Sequence, residues 1–149
     1  MVVKISDFTI LPATADESEA IRTLLVKAEL PNEDFTQHLP HFLTARQNGT
    51  LAGAVGLEIY GESGLLRSLV VDVAYRGQGL GIELCEEIFA YARGQGVKEL
   101  YLLTTTAANF FPKLGFTRID RDSVPPAIQS TTEFASICPS TAVCMVKRL

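Results

Sequence analysis

The stretch Arg76-Gly77-Gln78-Gly79-Leu80-Gly81 constrains the fold of this 149-residue chain more than any other part of its sequence. It follows an apolar, strand-like run over residues 65–72 and precedes a helix-like run over residues 82–93. Glycines at alternate positions let the backbone come close to a ligand, because no Cβ stands in the way. The helix that follows directs its free N–H groups and the positive end of its dipole into that turn. The sequence therefore predicts a cradle for a pyrophosphate at a strand–turn–helix junction.

Two well-known phosphate-binding loops do not fit the spacing. A P-loop places lysine and then serine or threonine after its last glycine, whereas Ile82 and Glu83 follow Gly81. A dinucleotide-binding loop needs a third glycine three residues after the second. That position is held by Ile82 or by Leu84, depending on which glycine starts the count. The loop therefore belongs to another class of nucleotide cradle.

The pattern Arg76-x-x-Gly79-x-Gly81, after a strand ending in valine and aspartate, resembles motif A of the GNAT superfamily of acetyltransferases. The segment Phe111-Pro112-Lys113-Leu114-Gly115-Phe116 is similar to a later segment of that family, usually written Tyr-Glu-Lys-Leu-Gly-Phe. The resemblance covers nearly the whole chain and is strongest over residues 51–116. It implies an α/β fold with a mixed, mostly antiparallel sheet flanked by helices and a strand–glycine loop–helix cradle for CoA. It also implies one acetyltransferase domain over residues 1–149.

Three segments look most like the arsenic-resistance N-acetyltransferases, and are also similar to the acetyltransferase domain of short N-acetylglutamate synthases. They cover residues 66–72, 100–106 and 110–116. These families imply acetyl transfer from acetyl-CoA to the amine of a small acceptor, an amino acid or amino-acid analogue. Two other functions stay open: a CoA-binding sensor or assembly domain with little catalysis, and a peptide or protein N-acetyltransferase.

The family resemblance also implies how the cofactor is held. Backbone N–H groups of the loop would bind the pyrophosphate of acetyl-CoA, and by position the loop comprises Arg76, Gly77, Gln78, Gly79, Leu80, Gly81 and Ile82. The backbone of Leu69, Val70 and Val71 would pair with the pantetheine arm, and an N–H of Leu69 or Val70 would polarise the thioester carbonyl. Asn109 and Phe111 complete the predicted cofactor contacts, with a helix cap as the alternative role of Asn109.

Glu58 is the candidate general base. It interrupts an apolar strand, where a carboxylate is costly unless it is paired or functional. Arg67 interrupts the next strand in the same way, and its planar guanidinium suits the carboxylate of an acceptor. The alternative is an ion pair between Glu58 and Arg67 across adjacent strands, or a Glu58 on the solvent face.

The general acid departs from the family pattern. Phe111 stands where the family usually has a tyrosine, and phenylalanine has no proton to give. Tyr60, which shares a strand face with Glu58, or a water molecule would then protonate the leaving thiolate. A thiolate is also a good enough leaving group to need no dedicated acid.

Charge and composition exclude several classes of function. The net charge of −4 argues against a general nucleic-acid binder, and no apolar run approaches the roughly 20 residues of a membrane span. We expect a cytoplasmic protein with a small-molecule acceptor, and a homodimer stays open. The cysteines Cys85, Cys138 and Cys144 fit a reducing compartment and are predicted to be ordinary buried thiols. His38 and His41 lack a matching ligand cluster, so no metal site is predicted.

The periodicity of apolar residues and the turn signals predict the secondary structure. Strands are predicted at 8–11, 41–47, 50–60, 65–72, 100–105, 116–119 and 142–147, and helices at about 14–29, 82–93, 107–114 and from about 127. Asn48-Gly49 is typical of a type I′ hairpin, and Thr14 with Glu17 of a capping box. A strand–helix–strand connection around the glycine loop predicts one parallel pairing, and the last strand is predicted to close the sheet.

Overall fold

The structure is a computed structural model that describes residues 7–136 and 142–149. Its strands are β1 Thr9–Pro12, β2 Phe42–Gln47, β3 Thr50–Tyr60, β4 Ser63–Val71, β5 Glu99–Thr104, β6 Thr117–Arg118 and β7 Val143–Arg148. Its α-helices are α1 Ser18–Lys27, α2 Leu80–Gly94, α3 Pro126–Gln129 and α4 Thr132–Ser136. Short 3-10 helices lie at Ala15–Glu17, Phe35–His41, Val73–Tyr75, Phe111–Leu114 and Arg121–Ser123.

The strands form a mixed sheet in the order β1-β2-β3-β4-β5-β7-β6. The β1–β2, β2–β3, β5–β7 and β6–β7 pairs are antiparallel, and β4–β5 is parallel. The mostly antiparallel sheet and the parallel pairing around the glycine loop are therefore confirmed. The prediction that the last strand closes the sheet is wrong, because β7 pairs with both β5 and β6 and leaves β6 at the edge.

The two hairpin turns differ in how well the sequence predicted them. Asn48 and Gly49 both have positive φ, 52° and 78°, which confirms the type I′ turn between β2 and β3. The second turn contains only Gly61 and Glu62, because β4 begins at Ser63. A positive φ of 64° at Gly61 lets the chain reverse within two residues, so β4 begins two residues before the strand predicted from residue 65.

The described residues group into two compact units. The first comprises Met1–Gly56 and Ser68–Glu87, and the second comprises Leu57–Arg67 and Ile88–Leu149, each in its described part. The chain passes from one unit to the other within β3, within β4 and within α2. The single domain over residues 1–149 stays a prediction. Among residues 7–136 and 142–149, no helix has the length and apolar character needed to cross a membrane.

Each unit has its own apolar cluster. In the first unit, the apolar face of α1 packs on the sheet, and the cluster consists of Ile21, Leu24, Leu25, Phe35, Leu39, Phe42, Ala54 and Val70. The helical spacing of its α1 members was the basis for predicting that helix. The cluster of the second unit consists of Leu65, Tyr101, Leu103, Val124, Ile128, Phe134 and Cys144.

The predicted helix over residues 107–114 is shorter in the structure. Only Phe111–Leu114 forms a 3-10 turn, which Gly115 ends at a φ of 97°. Pro112 explains the difference, because a proline deep in a helix would remove a hydrogen bond and collide with the carbonyl of Ala108. A proline is tolerated only in the first turn, so the helix cannot start upstream.

Glu17 ties the start of α1 to the sheet in the first unit. Its Oε1 accepts a hydrogen bond from the Thr14 N–H at 2.8 Å, which confirms the capping box. Its Oε2 accepts from Arg46 Nε at 2.8 Å and from Thr44 Oγ1 at 3.2 Å, and lies 2.7 Å from Arg46 Nη2. Burial raises the pKa of Glu17, but the Thr14 N–H and the Arg46 guanidinium outweigh it, so the pKa lies below its ordinary value of 4.5.

Replacing this buried carboxylate should therefore cost stability. We expect Glu17→Gln to lower the free energy of unfolding by about 1–3 kcal/mol at neutral pH, since charge-assisted hydrogen bonds are lost. Chemical denaturation at several pH values measures the difference. Because the folded-state pKa is depressed, the wild-type advantage is present above about pH 5 and declines as the pH falls through that pKa.

Glu19→Gln is the matched control. Glu19 lies two residues further along, in the first turn of α1, and pairs with Arg22 at 2.6 Å, but its side chain is 84% exposed. An exposed pair of this kind is worth roughly 0–1 kcal/mol. Equal losses for the two variants would contradict a special role for Glu17.

Candidate functional site

The glycine loop is exposed and its backbone conformation requires glycine. Gly77 and Gly79 both have a φ of 81°, which L side chains rarely adopt. A Cβ built at either position would meet no atom within 4 Å, so the space above both is open. The structure thus presents bare backbone at the N-terminus of α2, as the sequence predicted.

The first turn of α2 leaves N–H groups available. The Glu83 N–H donates to the Gly79 carbonyl at 3.1 Å as the first hydrogen bond of the helix. The N–H groups of Leu80, Gly81 and Ile82 precede it and have no acceptor within the helix. Helix dipole and free donors together favour an anion at this end.

Packing within the first unit holds the loop in place. Leu80 and Leu84 on α2 are buried, and both lie close to Gly53 of β3, where a Cβ would come within 2.7 Å of the Val70 carbonyl oxygen. At the other end of the loop, Arg76 Nε donates to the Val71 carbonyl at 3.2 Å. The loop is therefore fixed by contacts on both sides.

The strand that leads into the loop has an irregularity that the sequence did not predict. Ser68, in the middle of β4, has a φ of 58° and is buried. A non-glycine residue in this region costs on the order of 1–3 kcal/mol, and such residues cluster at functional sites. After it, Val70 points into the apolar cluster, whereas Leu69 and Val71 are half-buried. Nothing in the residue type of a serine indicates a positive φ.

Glu58 and Arg67 form a buried ion pair in the second unit. Arg67 Nη1 lies 2.6 Å from Glu58 Oε2, and the two side chains are 0% and 1% exposed. The pair that the sequence left open as an alternative is therefore present, and a Glu58 on the solvent face is wrong. A charge this deep needs such a partner, because an isolated buried ion is very costly.

A second carboxylate approaches Arg67 from the C-terminal part of the chain. Arg67 Nη2 lies 3.6 Å from Glu133 Oε2, and the Glu133 side chain is 6% exposed. Sequence analysis missed Glu133, because an acidic residue in the first turn of a short helix gives no sign of a distant partner. Glu58 and Glu133 thus lie beside the two terminal nitrogens, Nη1 and Nη2, of the Arg67 guanidinium.

Tyr60 also contacts Glu58. Its hydroxyl donates a hydrogen bond to Glu58 Oε1, while Oε2 of the same carboxylate faces Arg67. Tyr60 is half-buried, whereas Glu58 is fully buried. The structure therefore brings the predicted base, the candidate acid and Arg67 together, with the proton of Tyr60 directed at Glu58.

The two remaining cofactor predictions have different surroundings. Asn109 is exposed in a turn before the 3-10 helix. Phe111 is buried and packs edge-on against Phe110 and Phe116, with ring centroids 5.1 Å and 5.5 Å apart. Phe111 is thus an aromatic core residue, and contact of either residue with a cofactor stays a prediction.

The cysteines that are described behave as buried thiols. Cys85 on α2 is fully buried, and burial raises its pKa to about 12. Burial also raises the pKa of Cys144. Thiolates are the reactive form, so both groups are chemically quiet at neutral pH. Cys138 lies outside the described residues.

Comparison with known proteins identifies the family. The sequence profile of the Acetyltransferase (GNAT) family matches residues 10–116, well over half of the chain. The chain belongs to the GNAT family of acetyltransferases. The matched part of the chain includes the glycine loop, Glu58, Arg67 and the Leu-Gly-Phe segment. Glu133 lies beyond it.

The chain is similar to several named acetyltransferases. An amino-acid acetyltransferase of Pseudomonas syringae pv. tomato is 42% identical over 73 residues, covering 49% of this chain and 17% of that protein. An uncharacterized N-acetyltransferase of Chlorobaculum tepidum is 29% identical over 122 residues, covering 78% of this chain and 76% of that protein. The structure of Neisseria gonorrhoeae N-acetylglutamate synthase with coenzyme A and N-acetyl-glutamate matches with a TM-score of 0.85 at 23% identity.

The Neisseria comparison confirms the GNAT fold. It covers 98% of this chain but 36% of the Neisseria chain, and the Pseudomonas comparison likewise leaves most of that protein unmatched. This GNAT chain therefore spans about a sixth of the length of the amino-acid acetyltransferase it resembles and about a third of the synthase chain.

Proposed function

We propose that this chain transfers an acetyl group from acetyl-CoA to the amine of a small acceptor, an amino acid or amino-acid analogue. The glycine loop carries the proposal, because it combines a positive φ at Gly77 and Gly79, open space above both and free N–H groups at a helix N-terminus. Membership of the GNAT family and the names of the similar proteins support the same activity. The arsenic-resistance branch stays a prediction.

In this proposal the backbone binds the cofactor. The N–H groups of residues 77–82 would hold the pyrophosphate, and Arg76 would add a positive charge at the start of the loop. The backbone of Leu69–Val71 would pair with the amides of the pantetheine arm, next to the irregularity at Ser68. An N–H of Leu69 or Val70 would then polarise the thioester carbonyl.

The proposed reaction transfers one acyl group and removes two protons from the acceptor nitrogen. Glu58 takes the first proton from the acceptor ammonium, directly or through water, and the neutral amine attacks the thioester carbonyl carbon. The C–S bond breaks, its electron pair leaves on the CoA sulfur, which then takes a proton, and the nitrogen releases its second proton to solvent as the amide forms. Because the Tyr60 hydroxyl donates to Glu58, the two groups could pass that proton towards the thiolate: Tyr60 gives its own and recovers one from Glu58.

The acceptor-binding role predicted for Arg67 competes with the contacts it already has. Its side chain has no exposed surface, and Glu58 and Glu133 lie at its two ends. A third carboxylate there would place like charges around one guanidinium. We therefore favour Arg67 as an internal partner, with the acceptor's carboxylate bound elsewhere.

The cofactor site can be tested at Gly79. We expect Gly79→Ala to weaken CoA binding by roughly ten- to a hundredfold, because a Cβ would enter the space that the phosphates need and disturb charge-assisted hydrogen bonds. Isothermal titration calorimetry with CoA measures the effect on folded protein.

Gly96→Ala controls for backbone strain. Gly96 lies in the turn after α2 and has a φ of 83°, and a Cβ there would also meet no atom within 4 Å. The two substitutions carry a similar strain of about 1–2 kcal/mol. The assignment of the CoA site to the glycine loop is therefore supported only if Gly79→Ala weakens CoA binding and Gly96→Ala does not. Equal affinities of the two variants for CoA would contradict it.

The base can be tested with Glu58→Gln. We expect turnover at saturating acceptor to fall about a hundredfold or more, the usual contribution of general base catalysis, while CoA affinity is kept. Steady-state assays of thiol release measure the turnover, and inhibition of the same reaction by added CoA measures the CoA affinity. Glu62→Gln is the control, since the Glu62 side chain is 70% exposed on the turn between β3 and β4. Near-wild-type turnover of folded Glu58→Gln protein would place the base elsewhere.

Arg67→Lys separates the two roles of the guanidinium. Lysine keeps the positive charge in the buried pair but lacks the fork. If Arg67 is an internal partner, kcat/KM should fall by the same factor for an amino acid and for its decarboxylated amine. A loss that is about ten- to a hundredfold larger for the amino acid would instead show a lost carboxylate contact.

A further inference from the structure

An open cleft lies at the edge of the sheet in the second unit, where β6 ends. Residues 118–120 and residues 142–144 line it, and its volume is about 480 Å³. Small-molecule sites typically have volumes of roughly 300–1,000 Å³. The Ile119 N–H donates to the Cys144 carbonyl at 3.0 Å, and Arg118 is the register partner of Met145. These contacts hold the two segments side by side, so the cleft is built by the pairing of the strands.

Arg118 and Asp120 bring opposite charges to this cleft. They are two residues apart in extended backbone, so their side chains leave the chain on the same side. Both residues are exposed, and the structure pairs neither side chain with the other or with a further described residue. Asp120 stands at the N-cap of the 3-10 turn Arg121–Ser123, but its carboxylate accepts no capping hydrogen bond. A guanidinium and a carboxylate are thus both available to a ligand.

The two charges select the kind of ligand that the cleft suits. Phosphate or a dicarboxylate would be attracted by Arg118 but repelled by Asp120, and a metal ion or a polyamine would meet the reverse problem. A free α-amino acid carries a carboxylate and an ammonium on one carbon atom. Arginine can bind the carboxylate through two parallel hydrogen bonds, and an aspartate can accept from the ammonium. The zwitterion therefore matches both groups.

The rest of the lining is apolar and borders the core of the second unit. Ile119 and Ala142 pack against its apolar cluster, to which Cys144 belongs. Tyr60, whose hydroxyl donates to Glu58, packs against the same cluster. The cleft and the proposed base thus border one cluster, and the cleft offers an amino-acid side chain apolar surface beside the charged groups.

We propose that this cleft binds a free α-amino acid, with its carboxylate on Arg118 and its ammonium on Asp120. Two sources share this chemistry: the acceptor of the proposed reaction, and a second amino acid that is not acetylated. The inference rests on the proposed function only in the first case, because binding itself needs no turnover. It also supplies an arginine for the carboxylate in place of Arg67, which is buried among its internal partners.

The test is a titration of the ¹⁵N-labelled chain with each proteinogenic amino acid in turn, without acetyl-CoA, followed by NMR. We expect at least one of them to bind and to shift the amide signals of residues 118–120 and 142–144. Its decarboxylated amine and its deaminated acid should each bind about tenfold more weakly, as should the amino acid to Arg118→Gln and to Asp120→Asn protein, because one charge-assisted contact is lost.

Arg93→Gln and Asp122→Asn are the matched controls. They make the same changes of charge at exposed residues of the second unit that do not line the cleft. Their affinity for the amino acid should stay within about twofold of wild type, since exposed charges outside a site contribute little.

Steady-state assays of thiol release distinguish the two sources. If the amino acid is the acceptor, its KM should rise about tenfold in Arg118→Gln protein. An unchanged acceptor KM together with weakened binding would identify a second amino acid. The inference is overturned if no amino acid shifts these signals, if Arg118→Gln and Asp120→Asn leave the affinity unchanged, or if an analogue lacking one charge binds equally well. Binding without turnover of any acceptor would overturn the proposed function alone.

Discussion

A guanidinium with no exposed surface needs negative charge beside it, and this need at Arg67 organises the second unit. Removing one partner of a buried ion pair typically costs roughly 3–5 kcal/mol, so the positions of the carboxylates are not free. Glu58 comes from β3 and Glu133 from α4, so one side chain links the β3–β4 hairpin to the C-terminal helices. The same contacts align the carboxylate proposed to take the acceptor's proton.

The glycine loop depends on a different constraint. Its proposed ligand would be bound by backbone N–H groups. The absence of side chains at Gly77 and Gly79 leaves the space for that ligand open. The contacts of Leu80 and Leu84 near Gly53 fix the start of α2 and hence the direction of these donors. Preorganised donors of this kind lose little entropy on binding, which is why a loop can serve as a phosphate site.

Local features of the chain were predictable from sequence. The type I′ turn at Asn48-Gly49, the capping box of Glu17 and the glycine loop each depend on neighbouring residues, and the structure has all three. The Glu58–Arg67 pair could be weighed as an alternative because both residues break apolar strands joined by one turn. Such signals lie within a few residues or within one hairpin.

Features that depend on distant contacts were not predictable. Glu133 meets Arg67 across a long separation in sequence, and no local pattern marks it. The insertion of β7 between β5 and β6 likewise follows from pairing, since β6 has only two residues and a weak strand signal. The positive φ of Ser68 is imposed on a residue that has no preference for it.

The most direct test of the account is an acetyl-CoA turnover screen with detection of free thiol. Amino acids, matching decarboxylated amines, polyamines and peptides serve as acceptors, and mass spectrometry identifies the products. We expect amino acids to stimulate thiol release most and to yield N-acetylated products in equal amount. CoA binding without stimulated release by any acceptor would contradict the account and indicate a CoA-binding domain with little catalysis.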